Sequence, residues 1–227
     1  MERLDNIPVS LELKDVLERL HVHKVSRHVE GTVHELIDIV RPIAKPKAIY
    51  KVCYVDKENG DSLSIDGVRF TSHVLRVNLD KVERAFAYVA TCGKELDEIV
   101  IPSDDFLKCY YLDAIKEMVL GSARRCLKSY LARRYALGQI SHMSPGSLAD
   151  WPITQQRELF SIFGNVEDLI GVKLTESFLM VPLKSVSGIY FPTRIEFVSC
   201  QLCPREMCSG RRAPYDRDLA QKYSEKI

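Results

Sequence analysis

The sequence has almost no net charge, because 32 Lys and Arg residues stand against 31 Asp and Glu in a chain of 227 residues. General nucleic-acid binding needs an excess of basic charge, so the composition argues against a nucleic-acid partner. No apolar run approaches the ~20 residues that a membrane span requires. The N-terminus also lacks the charged-then-apolar pattern of a secretory signal. We therefore expect a cytoplasmic protein without a nucleic-acid or membrane partner.

Tryptophan is scarce and cysteine is not, since the chain has one Trp and seven Cys. Four of the cysteines lie within predicted strands and helices or at their ends: Cys53, Cys92, Cys109 and Cys126. We interpret them as small core residues in a reducing compartment.

The other three cysteines form the pattern C-x2-C-x4-C at Cys200, Cys203 and Cys208. Thiols this close in sequence can face one ion or cluster, and the spacing does not separate an iron–sulfur cluster from zinc. A fourth ligand would come from elsewhere, such as His142, another chain or an exogenous ligand. A redox thiol set and incidental cysteines are the alternatives to a metal site.

Hydrophobic patterning predicts an α+β fold, with an antiparallel twisted sheet and flanking helices. Strands come first, then one long helix from Asp105 to about Leu137, then a hairpin, which differs from the alternation of βαβ units. We expect Ser103 or Asp104 to cap the long helix, and Asn59-Gly60 to form a type I′ hairpin turn. The predicted divisions are an N-terminal helical segment over 1–45, an α+β core over 46–195 and a Cys-rich tail over 196–227. Arginines at 124, 125, 133 and 134 lie mostly off the apolar face of the long helix, as a solvated face or a docking edge.

The loop from Ser144 to Ser147 reads Ser-Pro-Gly-Ser, which predicts a tight turn that bares backbone N–H and C=O groups for a small polar ligand. Asp150 is expected to cap a helix that begins at Trp151-Pro152. Beyond that helix, Leu174–Val181 and Ser185–Phe191 predict two antiparallel strands joined as a hairpin.

This stretch resembles the reactivation domain of cobalamin-dependent methionine synthase, which binds S-adenosylmethionine (AdoMet). The resemblance is strong over Ser141–Phe191, plausible from about Val33 onward, and does not cover the cysteine tail. The form S-P-G-x-x-x-D-W-P resembles the short, free-standing members of that family. The second half matches L-T-E-S-F-x-M-x-P-x-x-S-V-S-G-x-Y-F at Leu174, Thr175, Glu176, Ser177, Met180, Pro182, Ser185, Val186, Ser187, Gly188 and Tyr190.

The resemblance implies where AdoMet binds. Its methionine end is expected at His142 and along the backbone of Ser144, Pro145, Gly146 and Ser147. Its adenosine end is expected at Ser187, Gly188 and Tyr190, and Glu176 is either a ligand acceptor or a structural hydrogen-bonding group beneath the loop. The full-length enzymes carry R-x-x-P-G-Y in this loop. Here His142 stands at the Arg position and Ser147 at the Tyr position, so a permanent charge facing the ligand's carboxylate is missing.

The resemblance also implies a role in keeping a corrinoid active. After Co(I) has been oxidised to Co(II), one electron from a donor protein and a methyl group from AdoMet together restore methylcobalamin. The chain has no D-x-H-x-x-G cobalamin motif, so we expect it to act on a separate cobalamin-binding protein or methionine synthase subunit. Flavodoxin or ferredoxin is an expected type of electron donor. The alternatives are a non-catalytic corrinoid-protein partner that has lost AdoMet and relays electrons through its tail, and a zinc-stabilised structural subunit.

Overall fold

The structure is a computed structural model that describes residues 1–20, 26–194, 197–208 and 210–224. The strand bounds are β1 Glu2–Leu4, β2 Lys47–Lys57, β3 Ser62–Ile65, β4 Val68–Thr71, β5 Arg84–Thr91, β6 Gln139–Met143, β7 Lys173–Leu174, β8 Met180–Val181 and β9 Ser185–Thr193. Most strands belong to one antiparallel sheet, in which β4-β3-β2-β5-β9-β6 are neighbours and β1 pairs with β2, while β7 and β8 form a separate pair. The predicted α+β fold with an antiparallel sheet is confirmed.

Helices cover both faces of the sheet, and each face has its own buried cluster. The helix bounds are α1 Leu13–Arg19, α2 Arg27–Ile43, α3 His73–Asn78, α4 Phe106–Arg134, α5 Gln156–Ser161, α6 Val166–Ile170 and α7 Arg217–Ser224. On one face, α1, α2 and α4 pack over Tyr50, Tyr88 and Tyr190. On the other face, α3, α5 and α6 pack over Ile49 and Ile189. Successive side chains of a strand point to opposite faces, so one strand such as β9 contributes to both clusters.

The hairpin turns differ in detail from the sequence prediction. Asp66 and Gly67 both have positive φ, 55° and 80°, which is the type I′ pattern for a two-residue connection between β3 and β4. In the predicted type I′ turn at Asn59-Gly60, the positive φ is at Gly60 (67°) and not at Asn59. The connection between β2 and β3 is therefore a longer loop, although the predicted antiparallel pairing of these strands is confirmed.

The predicted hairpin between Leu174–Val181 and Ser185–Phe191 is wrong. Only the ends of the first segment are strands, and β7 pairs with β8. Between them the chain turns, since the Thr175 N–H donates to the Leu179 carbonyl at 2.8 Å. β9 lies between β5 and β6. Its apolar centre is buried on both faces, and a central position in the sheet provides that burial.

Two predicted helix caps also differ. The Asp150 carboxylate caps α3, because it accepts from the Ser72 hydroxyl and from the backbone N–H groups of His73 at 3.1 Å and Val74 at 3.0 Å. A 3-10 turn over Ile153–Gln155 follows Trp151 and leads into α5. The long helix α4 is capped by Asp105, which accepts from the Lys108 N–H at 3.0 Å, and not by Ser103 or Asp104.

The N-terminal segment contributes to the same sheet, since β1 pairs antiparallel with β2 and α1 belongs to the helical cluster on one sheet face. Across the described ranges, no helix combines the length and the hydrophobicity needed to cross a membrane.

Candidate functional site

A cavity of about 390 Å³ lies where α4, β6, β9 and the C-terminal tail meet. The lining side chains are mainly basic and aromatic, and they come from four separate parts of the chain. The residues are Gly121, Arg124, Arg125, Lys128, Ile140, Ser141, His142, Tyr190, Phe197, Val198 and Arg212. We call this cavity the basic pocket.

Strand register brings two predicted ligand residues together in the basic pocket. His142 on β6 pairs directly with Tyr190 on β9, so their side chains share a face of the sheet. Their ring centroids are 5.5 Å apart, and Tyr190 stacks on Tyr88 at 4.3 Å. Burial raises the pKa of Tyr190, and the neighbouring Tyr88 adds to this shift. The pocket therefore has an aromatic floor whose hydroxyl groups stay neutral.

Two arginines converge on His142. The Arg124 Nη2 group lies 3.1 Å and the Arg212 Nη1 group 2.7 Å from the His142 Nε2 atom. A guanidinium can only donate, so Nε2 is the acceptor and the ring proton resides on Nδ1. Burial, together with the positive charges of Arg124, Arg212 and Lys128, lowers the pKa of His142 to about 3. His142 is therefore neutral at physiological pH.

The basic pocket contains buried donors that the described part of the protein leaves without a hydrogen-bond partner. They are the His142 Nδ1 and Arg124 Nε groups. A buried donor that lacks a partner costs about 1–3 kcal/mol, so native structures usually satisfy such groups. A polar ligand or ordered water in the pocket would satisfy them.

The charge of the basic pocket favours an anion. Among the described residues that line it, four are Lys or Arg and none is Asp or Glu. Guanidinium groups bind carboxylates and phosphates through two parallel hydrogen bonds. Arg124 and Arg212 thus supply the permanent positive charge that is missing at position 142.

Sequence patterns did not single out these two arginines as ligand residues. The sequence predicts Arg124 as part of a solvated face or docking edge of the long helix, and Arg212 lies in the tail outside the resemblance. The one local signal is the run of small residues at 121–123, where another element can approach α4 closely. Gly121 indeed lines the basic pocket.

The predicted turn faces a different cavity. Gly146 and Ser147 line a second cavity of about 560 Å³, which lies between the turn and the tail and also contacts Cys203. Gly146 has a φ of 78°, and the Ser147 hydroxyl donates to the Ser144 carbonyl at 2.7 Å. Pro145 is buried. The turn is therefore formed as expected, but it borders the basic pocket only through its neighbours on β6.

The remaining predicted residues differ in whether they lie near the basic pocket. A Cβ atom at Gly188 would stand 2.7 Å from the Ser144 Oγ atom, so these two residues touch beside the pocket. Ser187 is next to Gly188 on β9 and therefore faces the opposite side of the sheet. Glu176 is exposed in the turn between β7 and β8, and the described lining of the basic pocket does not include it.

The tail thiols are not gathered into a metal-binding group in the described residues, where no set of three or more His, Cys, Asp or Glu side chains could hold an ion. Cys208 is exposed, and the Cys200 Sγ atom accepts from the Arg212 N–H at 3.5 Å. Burial alone would raise the pKa of Cys200, but the Arg212 N–H and guanidinium outweigh it and lower the pKa. This arrangement does not fit a bound metal, and the metal site stays a prediction.

The cysteines predicted as core residues divide into two pairs. Cys53 and Cys92 are buried, whereas Cys109 and Cys126 are half-buried on α4. Burial raises the pKa of Cys53 to about 11 and that of Cys92 to about 12. Both buried thiols are therefore protonated and unreactive near neutral pH.

Comparisons with known proteins agree with the resemblance. Residues 127–198 match the family model of the activation domain of vitamin B12 dependent methionine synthase. No curated protein matches the sequence. A crystal structure of the MetH reactivation domain bound to AdoHcy is similar with a TM-score of 0.56 and 14% identity, over 88% of this chain and 81% of that chain. The predicted resemblance is thus confirmed: residues 127–198 carry the sequence pattern of the methionine synthase activation domain, and most of the chain has the fold of the MetH reactivation domain.

Proposed function

We propose that this protein binds AdoMet in the basic pocket and presents its methyl group to a cobalamin carried by a separate protein. The observation that carries the proposal is the convergence of Arg124 and Arg212 on the His142–Tyr190 pair. These four residues surround one cavity, and three of them lie near or within the segment that matches the activation-domain family. The MetH reactivation domain has a similar fold, and its crystal structure contains bound AdoHcy. AdoHcy is the product that remains when AdoMet has transferred its methyl group.

The pocket suits the chemistry of AdoMet. Its volume of about 390 Å³ falls within the ~300–1,000 Å³ range of small-molecule sites. The carboxylate of AdoMet matches the guanidinium groups of Arg124 and Arg212, and the aromatic face of Tyr190 offers a surface for the adenosine. The sulfonium is positively charged and is repelled by the same arginines. The ligand is therefore oriented with its carboxylate toward the arginines and its methyl group away from them, toward the partner.

The chain's own contribution is binding and orientation. In the proposed reaction, Co(II) cobalamin on the partner takes up one electron and then a methyl group from AdoMet, which leaves AdoHcy. A flavodoxin or ferredoxin is the proposed type of electron donor. The other partner is a cobalamin-binding protein or methionine synthase subunit.

Calorimetric titration tests ligand binding. We expect AdoMet and AdoHcy to bind the full chain, and Arg124→Ala to weaken both by about 10- to 100-fold, because a charge-assisted hydrogen bond is lost. Arg133→Ala is the matched control, since Arg133 is exposed on the same helix. Decarboxylated AdoMet lacks the carboxylate that Arg124 is proposed to bind. It should therefore bind Arg124→Ala and the wild type with the same affinity.

A flat titration with AdoMet and AdoHcy, on protein purified without oxygen, would contradict the proposal. The non-catalytic corrinoid-protein partner with an iron–sulfur or zinc tail would then be favoured. If AdoMet binds, transfer of its labelled methyl group to a reduced cobalamin protein tests the second half of the proposal. Methyl transfer that is equally fast without this chain would show that the chain has no role in it.

A further inference from the structure

The tail after β9 is folded around one arginine side chain. The Arg211 guanidinium donates to the backbone carbonyls of Cys200 and Ala213 through Nη1, each at 3.1 Å. Its Nη2 group donates to the carbonyls of Cys203, at 3.1 Å, and Arg205. One half-buried guanidinium group therefore holds four separate points of the tail together. Charge-assisted bonds of this kind are stronger than those between neutral groups.

The same tail is attached to the strand that carries His142. The Phe197 N–H donates to the Ser141 hydroxyl on β6 at 2.8 Å. Phe197 and Val198 also line the basic pocket. At the other end of the loop, the Asp216 N–H donates to the Gln201 carbonyl at 2.9 Å. The tail thus contacts one wall of the pocket, and its described segments on either side of residue 209 are joined by a hydrogen bond.

Arg212 connects the tail to His142 at the basic pocket. Its backbone N–H donates to the Cys200 Sγ atom at 3.5 Å, while its guanidinium donates to His142 Nε2 at 2.7 Å. Arg124 reaches the same nitrogen from α4 on the other side. Two positive groups therefore share one neutral acceptor, and their mutual repulsion is not relieved by that acceptor. An anion placed between them would relieve it.

We propose that Arg212 is a ligand-binding residue, which the tail delivers to the basic pocket so that it and Arg124 together bind the anionic group of the ligand. Arg211 is a positioning residue that acts through Arg212. Arg212 lies outside residues 127–198, so the family pattern does not supply it. The identity of the anion as the AdoMet carboxylate rests on the proposed function, whereas the anion site itself rests on the geometry.

Titration of the full chain with two probes, AdoHcy and inorganic phosphate, tests this assignment. We expect Arg212→Ala to weaken binding of both probes by about 10- to 100-fold. Arg212→Lys should recover part of the loss, because it keeps the charge without the fork. Arg217→Ala is the matched control, since Arg217 is exposed in the same tail and should bind within about twofold of the wild type.

The two probes separate failure of this assignment from failure of the proposed function. AdoHcy binding that is unchanged in Arg212→Ala would overturn the role of Arg212 and leave the proposed function intact. If phosphate binds in an Arg212-dependent way and AdoHcy does not bind, the anion site stands and the proposed function fails. If neither probe binds the wild-type chain, both proposals are overturned.

A double-variant cycle tests the positioning role of Arg211. Arg211→Ala should weaken AdoHcy binding, because the tail then no longer holds Arg212 at His142. If Arg211 acts only through Arg212, the Arg211→Ala/Arg212→Ala double variant binds no more weakly than Arg212→Ala alone. Losses that add in full would contradict the positioning role.

Discussion

At position 142 this chain has a histidine where the full-length enzymes that it resembles carry an arginine. A histidine that replaces an arginine would ordinarily be half charged near its reference pKa of about 6.5. Here burial and two adjacent guanidinium groups keep it neutral, with its pKa lowered to about 3. The residue thus acts as a hydrogen-bond acceptor that fixes the arginines, and they carry the charge.

This lowered pKa predicts how the stability depends on pH. Below pH 6.5 the unfolded chain takes up a proton at His142, whereas the folded chain does so only near pH 3. The unfolded state therefore binds more protons, and the free energy of unfolding falls as the pH falls. One proton accounts for about 1.4 kcal/mol per pH unit. Between pH 6.5 and 5, we expect the free energy of unfolding to fall by about 1.6 kcal/mol less in His142→Gln than in the wild type, as measured by urea unfolding.

The wild type and His142→Gln have the same remaining titratable groups, so their difference isolates this one proton. If the free energy of unfolding changes by the same amount in both proteins between pH 7 and 5, His142 is not kept neutral in the folded state.

Gly188 allows β9 to approach the end of β6. A Cβ atom there would lie 2.3 Å from the Met143 carbonyl oxygen and 3.1 Å from the Tyr88 ring. Because a backbone carbonyl cannot easily move aside, we expect Gly188→Ala to lower the free energy of unfolding by about 1–3 kcal/mol. Gly31→Ala is the control. Nothing lies within 4 Å of its Cβ position on α2, so a gain of about 0.5–1 kcal/mol is expected.

The sequence allowed some of these residues to be predicted and not others. Tyr190 was predicted as a pocket residue because it matches the motif of the resembled family, and His142 because it stands at the arginine position of that motif. Arg124 and Arg212 were missed because each reaches the pocket through tertiary packing, from a helix and from a tail that are distant in sequence. Ser187 was grouped with Tyr190 by proximity in sequence, although strand alternation turns it to the other face.

Among the secondary-structure elements, α3 is capped in part by Asp150, which lies in the loop after β6 and lines the second cavity. Asp150 accepts from the Ser72 hydroxyl and from the His73 and Val74 N–H groups, and the Ser72 hydroxyl also accepts from the Leu75 N–H at 3.0 Å. We expect Asp150→Ala to lower the free energy of unfolding by about 1–2 kcal/mol. Asp104→Ala, at an exposed aspartate that does not cap α4, should change it by less than about 0.5 kcal/mol.

This cap shows why element boundaries were harder to predict than the elements themselves. Asp150 precedes Trp151-Pro152, a local pattern that favours a cap for the next helix. The Asp150 carboxylate instead accepts hydrogen bonds from N–H groups at the start of α3, a helix that is far away in sequence but adjacent in space. Similarly, Leu174–Val181 has the composition of a strand, but its middle residues turn and only its ends pair. Strands with buried runs, such as β5 and β9, were predicted correctly because burial on both faces leaves a strong local signal.

The molecule as a whole is a sheet with a buried hydrophobic cluster on each face. The cysteines differ in whether they belong to one of these clusters. Cys53 is in the cluster under α3 and α5, and Cys92 is in the cluster under α2 and α4. The tail cysteines lie outside both clusters and are half-buried or exposed. Fold class followed from the order of elements in the sequence, whereas the position of the tail against the pocket depends on single hydrogen bonds that no pattern encodes.

Alkylation of the thiols tests this organisation and the predicted metal site in one measurement. With a pKa of about 11, the fraction of Cys53 present as thiolate at pH 8 is about 0.001. Cys92 is still less ionised. We expect neither residue to react with iodoacetamide at pH 8, whereas Cys200, Cys203 and Cys208 react, as measured by mass spectrometry of the digested protein. In urea all seven cysteines should react alike, which is the control for reagent access.

A bound metal would change this result in a distinctive way, because thiolates that ligate an ion are protected together. In protein purified without oxygen, joint protection of the three tail thiols that a chelator removes would establish a metal site and require the tail to rearrange around it. Arg212 would then move, since Cys200 accepts its N–H. Independent labelling of the three thiols would contradict the metal site. It would leave the tail with the role that its contacts already support, which is to hold Arg212 against His142.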